Sequence, residues 1–260
     1  MALMSRLSAG LTLAALLAVA PGAGVADGNC AQTQFVSTTD FTLVGRFYEG
    51  PIAEDMVATL NAKGSVLSLE DFAKHRGEAQ TPISTNYRGL DLVELPPNGQ
   101  GLTALVLVNI LENFDMKSLD PVGPDRFHLQ LEAARLAFAI RDTHIAEPAF
   151  MRVGVDKLLD KAFAKSLAAK IDRTKRVPLP PHPAPGGDTV YLTVVDKDRR
   201  ACSLINSLYS SFGSGICTEK TGVMFNNRGS GFVLNSDHPN ALGPRKRPMH
   251  TIIPALAMKD

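Results

Sequence analysis

The chain has 260 residues, enough for one large domain or two small ones. Hydrophobic residues make up 45% of it and charged residues 20%, so it can bury a core and is not globally disordered. The net charge of +1 excludes the strongly basic surface that nucleic-acid binding requires. Three Cys exclude both a disulfide framework and a zinc site with four cysteine ligands.

Residues 1–26 have the pattern of a secretory signal peptide. Arg6 is the one charged residue among them, an apolar stretch covers 7–20, and small residues at 23–26 offer a cleavage site. The alternative, a membrane anchor, needs about 20 apolar residues, and this stretch is shorter. We therefore expect cleavage near Ala26, a periplasmic or secreted protein, and no stable insertion into a membrane.

Export would bring the cysteines into an oxidising compartment. There, Cys202 and Cys217 either form a disulfide or remain a pair of buried free thiols, and the sequence leaves both alternatives open.

The first part of the mature chain alternates short helices with a hairpin. A helix is predicted to begin around 47–50 and to run through 52–60, and a second helical turn follows Ser68, whose hydroxyl can cap it. Residues 83–94 alternate around a central turn, as a β-hairpin does. The Gly-rich loop 97–101 then opens a third helix. It lacks the Lys-Ser/Thr of a phosphate-binding loop, so we interpret it as a tight turn.

The later part changes from helical to β-rich. Helices are predicted at about 127–142 and 155–171. Five Pro between 177 and 188 favour an extended surface segment. A strand at 189–195 and a returning strand at 201–209 follow it.

The sequence therefore predicts three parts: the signal peptide, a mostly helical region 27–188 and a β-rich region 189–260. The helical region carries 17 basic and 21 acidic side chains, and the β-rich region carries nine and five. Opposite net charges would help the two regions stay together if the chain were cut between them.

Two common kinds of catalytic site are not expected. The six His are scattered without i,i+4 spacing, which argues against a metal site. The Gly-x-Ser-x-Gly motif is absent from the sequence, which argues against an α/β-hydrolase triad. No cofactor is implied.

One arrangement can carry chemistry. The Pro- and Gly-rich segment runs directly into a strand that begins with a hydroxyl residue, Thr189. If the bond between Asp188 and Thr189 were broken, the new α-amine, with a pKa of about 7.7–8.0, could act as base for the hydroxyl beside it. Spacing alone favours the simpler interpretation, a linker ahead of an ordinary strand residue.

A series of short segments supports the catalytic interpretation through its order and spacing. They are Phe47-Tyr48-Glu49-Gly50, Tyr87-Arg88-Gly89, Glu94-Leu95-Pro96-Pro97, Asn109-Ile110-Leu111-Glu112-Asn113-Phe114-Asp115, His128 with Glu132-Ala133, Thr189 to Asp198, Phe212-Gly213-Ser214-Gly215, Asn226-Asn227, Pro239-Asn240-Ala241, and Lys246-Arg247-Pro248 with Pro254. Over residues 43–260 the chain thereby resembles the gamma-glutamyltranspeptidase family, N-terminal nucleophile hydrolases that cleave themselves into two subunits. The resemblance implies an α+β fold, a partial αββα sandwich of that type.

The resemblance also implies a mechanism. The hydroxyl of Thr189 would attack the carbonyl of Asp188 and form an ester that water resolves. The freed Thr189 would then attack a γ-glutamyl or related dicarboxylate-type amide and form an acyl-enzyme. Ser207 falls where the family keeps a hydroxyl that orients the nucleophile. The two fragments would remain together as a heterodimer.

The loop that binds the glutamyl group departs from the family pattern. The family usually has Asn-Asn-(Glu/Gln)-Met-Asp-Asp-Phe, and residues 226–232 are Asn-Asn-Arg-Gly-Ser-Gly-Phe. Asn227 borders the implied pocket, Gly231 replaces the acidic residue that pairs with the substrate ammonium, and Arg228 reverses a neighbouring polarity. An unpaired buried ammonium is costly, so a γ-glutamyl group should bind poorly.

Three further positions belong to the implied substrate site. Tyr209 stands where the family usually has Asn, and His250 and Thr251 stand where paired Ser hold the α-carboxylate. This pattern is similar to a divergent branch with acylase-like members, whose acyl group lacks the α-amine. We expect an amide with a dicarboxylate-type acyl group to compete well with γ-glutamyl substrates.

The resemblance also implies segments that the sequence lacks. They are a stretch before Leu43 with a carboxylate-binding Arg, and a Gly-Gly pair beyond residue 260 that forms the oxyanion hole. We therefore expect the chain as written to be a poor enzyme. The alternative function is a non-catalytic, unprocessed fragment of such an enzyme.

Overall fold

The computed structural model describes residues 47–75, 79–179 and 189–259. The predicted signal peptide, Cys30, Asp188 and most of the Pro-rich segment lie outside the described residues. The described residues form two compact units. The small unit comprises 47–75, 79 and 206–227, and the large unit comprises 80–179, 189–205 and 228–259.

The small unit contains two helices, α1 (Pro51–Asn61) and α2 (Leu69–Lys74). Proline is well suited to the first position of α1, because its missing N–H would have no partner there. The Ser68 hydroxyl accepts from the Asp71 amide at 3.3 Å, and the Asp71 carboxylate accepts from the Ser68 amide at 2.8 Å. This capping box confirms Ser68 as the N-cap. The core side chains are those of Phe47, Met56 and Val223.

The large unit begins with a hairpin of β1 (Ile83–Tyr87) and β2 (Leu90–Glu94), as predicted. Its turn residues, Arg88 and Gly89, both have positive φ, which matches the twist of a two-residue hairpin. Helices α3 (Gly101–Leu111) and α4 (Pro124–His144) follow, and their apolar residues form the centre of the core.

The predicted helix 155–171 is wrong as a single element. The structure has α5 (Val155–Leu158) and α6 (Lys161–Ala168) in its place. Asp160 lies between them, and its side chain accepts from the Phe163 amide at 2.7 Å. Asp160 therefore caps a new helix, although the apolar spacing continues across the break.

Two sheets complete the large unit. Strands β3 (Val190–Val195) and β4 (Ala201–Asn206) form the predicted pair, although β4 ends before Tyr209. The other sheet has the order β1-β2-β5, with β5 (Leu256–Met258) antiparallel to β2. The sequence analysis did not predict β5, because it depends on pairing with a strand about 160 residues earlier.

The turn before α3 is tight, as predicted. The Gly99 amide donates to the Pro96 carbonyl at 3.3 Å. A Cβ atom at Gly101 would lie 2.8 Å from the Glu94 Cβ, so only glycine lets the helix begin against β2. The loop therefore fixes α3 closely to the hairpin.

Both expectations for the cysteines are wrong. Cys217 is disulfide-bonded, whereas Cys202 is an exposed free thiol, so the two do not pair and are not buried thiols. Among the residues the structure describes, no helix has the length and apolar character needed to cross a membrane. The same residues contain no group of three or more potential metal-binding side chains.

Candidate active site

The predicted nucleophile lies at the start of the β-rich region. Thr189 is exposed and directly precedes β3. Within the strand pair, the Tyr191 hydroxyl lies 2.9 Å from the Ser203 hydroxyl, so a cross-strand hydrogen bond links β3 to β4. The other side of the predicted cleavage site, Asp188, lies outside the described residues.

Three predicted site residues come together in the small unit. The Ser207 hydroxyl accepts from the Tyr209 amide at 2.9 Å. The Asn227 amide donates to the Leu208 carbonyl at 3.2 Å, and the Asn227 side chain accepts from the Ser210 amide at 3.1 Å. Ser207, Tyr209 and Asn227 therefore belong to one hydrogen-bonded pair of loops.

The backbone of this loop is strained at Tyr209. Its φ is +86°, a left-handed conformation that bulky residues rarely adopt. Such outliers often occur at functional sites, where surrounding structure maintains them. Asn tolerates this conformation better than Tyr does, so the departure at Tyr209 has a cost in backbone energy.

The other predicted binding residues lie in the large unit. A 3-10 turn, Arg228–Gly231, begins with Arg228, whose Nη1 donates to the Thr251 hydroxyl at 3.0 Å. Arg228 is only 7% exposed, so its guanidinium is held inside the unit. A Cβ at Gly231 would lie 3.3 Å from the Met249 carbonyl oxygen, so this turn has little room for the acidic side chain of the family pattern.

His250 is next to this pair and is uncharged at neutral pH. Its partial burial, followed by the positive charge of Arg228, lowers the pKa of His250 to about 4. The site therefore combines one guanidinium, one hydroxyl and one neutral imidazole. Such a set is suited to binding a carboxylate rather than an ammonium.

Asn240 holds the two parts of this site together. Its side-chain amide donates to the Gly231 carbonyl at 2.7 Å, and its side-chain oxygen accepts from the Met249 amide at 2.9 Å. Asn240 is 3% exposed, so both bonds are protected from water. The sequence analysis noted Asn240 only as part of a motif and missed this role.

Asn98 and Gln100 also contact the site and were missed. The His250 amide donates to the Asn98 carbonyl at 2.8 Å, and the Gln100 amide donates to the His250 carbonyl at 2.7 Å. The Asn98 side chain donates to the Pro248 carbonyl at 2.7 Å, and the Gln100 side chain donates to the Thr251 carbonyl at 2.5 Å. The Gly-rich loop was visible in the sequence, but its partner lies about 150 residues later.

The structure thus divides the predicted residues between the two units. Ser207, Tyr209 and Asn227 are in the small unit, and the others are in the large unit: Thr189, Arg228, Gly231, His250 and Thr251. Their roles toward a substrate remain predictions.

The mixed helices and sheets, with a hydroxyl residue heading one strand, have the character of an N-terminal nucleophile hydrolase. The gamma-glutamyltranspeptidase family matches residues 34–260, so the chain belongs to this family. The crystal structure of cephalosporin acylase from Bacillus halodurans superposes with a TM-score of 0.74 and is 39% identical in sequence; the match covers 83% of this chain and 39% of that chain. The predicted α+β class and the partial fold of this type are confirmed.

Curated relatives support the same family. The chain is 42% identical over 213 residues to the glutathione hydrolase-like YwrD proenzyme of Bacillus subtilis, covering 82% of this chain and 40% of that protein. It is 37% identical over 211 residues to the oxamate amidohydrolase proenzyme of Klebsiella pneumoniae, covering 81% of this chain and 39% of that protein. The chain therefore spans about 40% of the length of these relatives.

Proposed function

We propose that the chain is a gamma-glutamyltranspeptidase-like amidohydrolase and acyltransferase that cleaves itself before Thr189. The Thr189 hydroxyl attacks the Asp188 carbonyl carbon, the peptide C–N bond breaks, and the α-amine of Thr189 takes up a proton. Water hydrolyses the resulting ester and leaves Thr189 as the new N-terminus. Family membership and the position of Thr189 at the head of β3 support this step.

The same residue then acts on the substrate. The Thr189 hydroxyl attacks the carbonyl carbon of a substrate amide, with the free α-amine as base, and the leaving amine departs with a proton. The acyl group on Thr189 passes to water or to an acceptor amine.

The proposal for the acyl group of the substrate depends mainly on Arg228. Its guanidinium is buried and donates to the Thr251 hydroxyl. Arg228 begins the turn Arg228–Gly231, whose residues include no acidic side chain. Its neighbour His250 is neutral. We therefore assign amides whose acyl group bears a second carboxylate, including γ-glutamyl and glutaryl amides. The Klebsiella pneumoniae relative is named for oxamate, which is itself an amide that carries a carboxylate.

Self-cleavage is tested on a denaturing gel of the purified chain beside Thr189→Ala. We expect two bands for the parent and one band for the variant, because the alanine has no hydroxyl to attack residue 188. Thr193→Ala, a threonine in the same strand, is the matched control and should give two bands. A single band for the parent would instead support the alternative, a non-catalytic, unprocessed fragment.

The acyl specificity is tested by comparing a glutaryl anilide with a γ-glutamyl anilide. We expect kcat/KM for the glutaryl compound to equal or exceed that for the γ-glutamyl compound. Arg228→Gln should lower the glutaryl value by about tenfold or more, since a charge-assisted hydrogen bond contributes ~1.5–3 kcal/mol. Arg245→Gln, at an exposed arginine, is the control. Much faster turnover of the γ-glutamyl compound would contradict the assignment.

We also propose that the chain is exported through its signal peptide. The disulfide at Cys217 supports an oxidising destination. Fractionation of expressing cells followed by N-terminal sequencing should find a chain beginning near Asp27 in the periplasm or the medium. An intact Met1 in the cytoplasmic fraction would contradict export.

A further inference from the structure

We infer that Asn98 and Gln100 are positioning residues for the segment 248–251, which contributes His250 and Thr251 to the proposed acyl-binding site. This inference rests on the proposed function, because it concerns how that site is held in place. The two residues precede the predicted cleavage point, and the segment follows it. One cleavage fragment would therefore shape a binding segment that belongs to the other.

Four hydrogen bonds connect Asn98 and Gln100 to the four residues 248–251. Two backbone bonds join the Asn98 carbonyl and the Gln100 amide to His250, at 2.8 and 2.7 Å. Two side-chain bonds reach the carbonyls on either side, those of Pro248 and Thr251, at 2.7 and 2.5 Å. The segment is thus fixed before, at and after His250, which leaves little freedom for that side chain or the next.

The loop that contains Asn98 and Gln100 is rigid enough to impose this geometry. The Gln100 carbonyl accepts from the Thr103 amide at 2.8 Å, so the loop continues into the first turn of α3. Leu102 and Val106 of α3 are fully buried in the core of the large unit. A loop that is part of a buried helix resists displacement better than a free surface loop.

The orientation of the Gln100 side-chain amide is fixed. Arg141 on α4 donates from Nη1 to the Gln100 side-chain oxygen at 3.0 Å. Because a guanidinium can only donate, the amide oxygen must face Arg141, and the NH₂ group must face the Thr251 carbonyl. Arg228 donates to the Thr251 hydroxyl at 3.0 Å. Thr251 is therefore fixed through both its backbone and its side chain.

Gln100→Glu tests this arrangement selectively. The glutamate keeps an acceptor for Arg141, but it loses the donor to Thr251 and places a carboxylate oxygen against a carbonyl oxygen. Gln130→Glu makes the same chemical change on α4, outside the loop that contacts 248–251, and serves as the matched control. Asn98→Asp is the second test variant, because it removes the donor to Pro248 in the same way.

Hydrogen exchange of the full-length chain gives a measurement that does not require catalysis. In Gln100→Glu we expect the four amides in 248–252 (Pro248 has none) to exchange about tenfold faster, while amides of Leu105 and Leu129 in the core keep the parental rate. Gln130→Glu should match the parent throughout. Unchanged exchange at 248–252 in both test variants would overturn the inference. A uniform increase that includes the core amides, in both test variants, would also overturn it, since it would indicate only lost stability.

Glutarate binding then tests whether the position of the segment 248–251 affects the proposed acyl-binding site. We expect the parent to bind glutarate and Gln100→Glu to bind it about tenfold more weakly, with a similar melting temperature. In active protein, the same variant should raise KM for the glutaryl anilide more than it lowers kcat. Equal glutarate affinity in parent and variant, despite faster exchange at 248–252, would overturn the role in positioning the site. If the parent does not bind glutarate, the proposed acyl group is wrong, and the exchange result alone decides whether Asn98 and Gln100 position the segment.

Discussion

Glu94 is a single residue whose environment makes the stability of the fold depend on pH. It lies at the end of β2 against Gly101, is 4% exposed, and its Oε2 makes no hydrogen bond. Burial raises the pKa of Glu94 from 4.5 to about 7, and a backbone hydrogen bond to Leu95 opposes the shift only partly. The carboxyl is therefore neutral in the folded chain under mildly acidic conditions.

The sign of the pH effect follows from this raised pKa. Between pH 4.5 and about 7 the unfolded chain releases the Glu94 proton while the folded chain retains it. Glu94 therefore contributes a fall in the free energy of unfolding as pH rises through this window, whereas the lowered pKa of His250 contributes a rise between about 4 and 6.5. Glu94→Gln, which cannot ionise, should remove the Glu94 contribution from the slope and be more stable than the parent at pH 8 by about 1–2 kcal/mol.

Urea unfolding at a series of pH values between 5 and 8 measures the effect. Glu54→Gln, at an exposed glutamate on α1, is the control and should keep the slope of the parent. Identical slopes in Glu94→Gln and the parent would show that Glu94 ionises equally easily in the folded and unfolded chains.

At the level of elements, α1 and the turn 218–223 are joined through one carboxylate. Asp55 on α1 is 7% exposed, and its Oδ2 accepts from the amides of Lys220 and Thr221 and from the Thr221 hydroxyl, at 3.2, 2.8 and 2.8 Å. Thr218 in the same turn is fully buried. The turn therefore depends on a helix about 165 residues earlier in the chain.

Asp55→Ala should destabilise the protein by about 2–3 kcal/mol, because it leaves backbone donors of the turn without their acceptor. Glu54→Ala changes the preceding, exposed residue of the same helix and should have an effect within about 0.5 kcal/mol. Thermal or urea unfolding of the three proteins provides the comparison. Equal loss in the two variants would show that the contact with the turn does not determine the effect.

Local signals explain which elements could be predicted from the sequence. The cap at Ser68 and the hairpin turn at Arg88 and Gly89 depend on residues within four positions of one another, so the pattern indicates them directly. The break at Asp160 was missed although a capping residue was visible, because the apolar spacing continued across it. Strand β5 was missed because its pairing with β2 depends on tertiary structure.

The candidate site shows the same limit. Resemblance to a family located Arg228, His250 and Thr251, and the structure joins Arg228 to Thr251 directly. The sequence could not indicate that Asn98 and Gln100 hold the same segment, since hydrogen bonds over about 150 residues leave no periodic pattern.

At the scale of the whole molecule, residues from before and after the predicted cleavage point contact one another within each compact unit. Each compact unit contains residues from before 188 and from after 189. In the large unit, β5 pairs with β2, and the His238 ring lies 2.7 Å from the Asp142 carbonyl. In the small unit, Asp55 holds the turn at 220 and 221. A cut between 188 and 189 would leave all of these contacts in place.

These contacts change the physical reason for expecting the fragments to stay together. The sequence suggested opposite net charges, but among the described residues most of the contacts that join the two regions are strand pairing and hydrogen bonds to backbone groups. One contact is a full ion pair, in which Arg247 binds both carboxylate oxygens of Glu147 at 2.7 Å. A partly exposed pair of this kind contributes about 1 kcal/mol or less.

The two regions should therefore remain associated at high salt. When residues 27–188 and 189–260 are co-expressed as separate chains, we expect them to co-elute in gel filtration at both 0.1 M and 1 M NaCl. Salt at 1 M reduces the screening length to about 3 Å and weakens exposed charge pairs, but it leaves strand pairing and buried hydrogen bonds intact. Glu147→Gln should co-elute as well, because it removes only the ion pair. Separation at 1 M but not at 0.1 M would show that the opposite charges, and not the interwoven backbone, hold the two regions together.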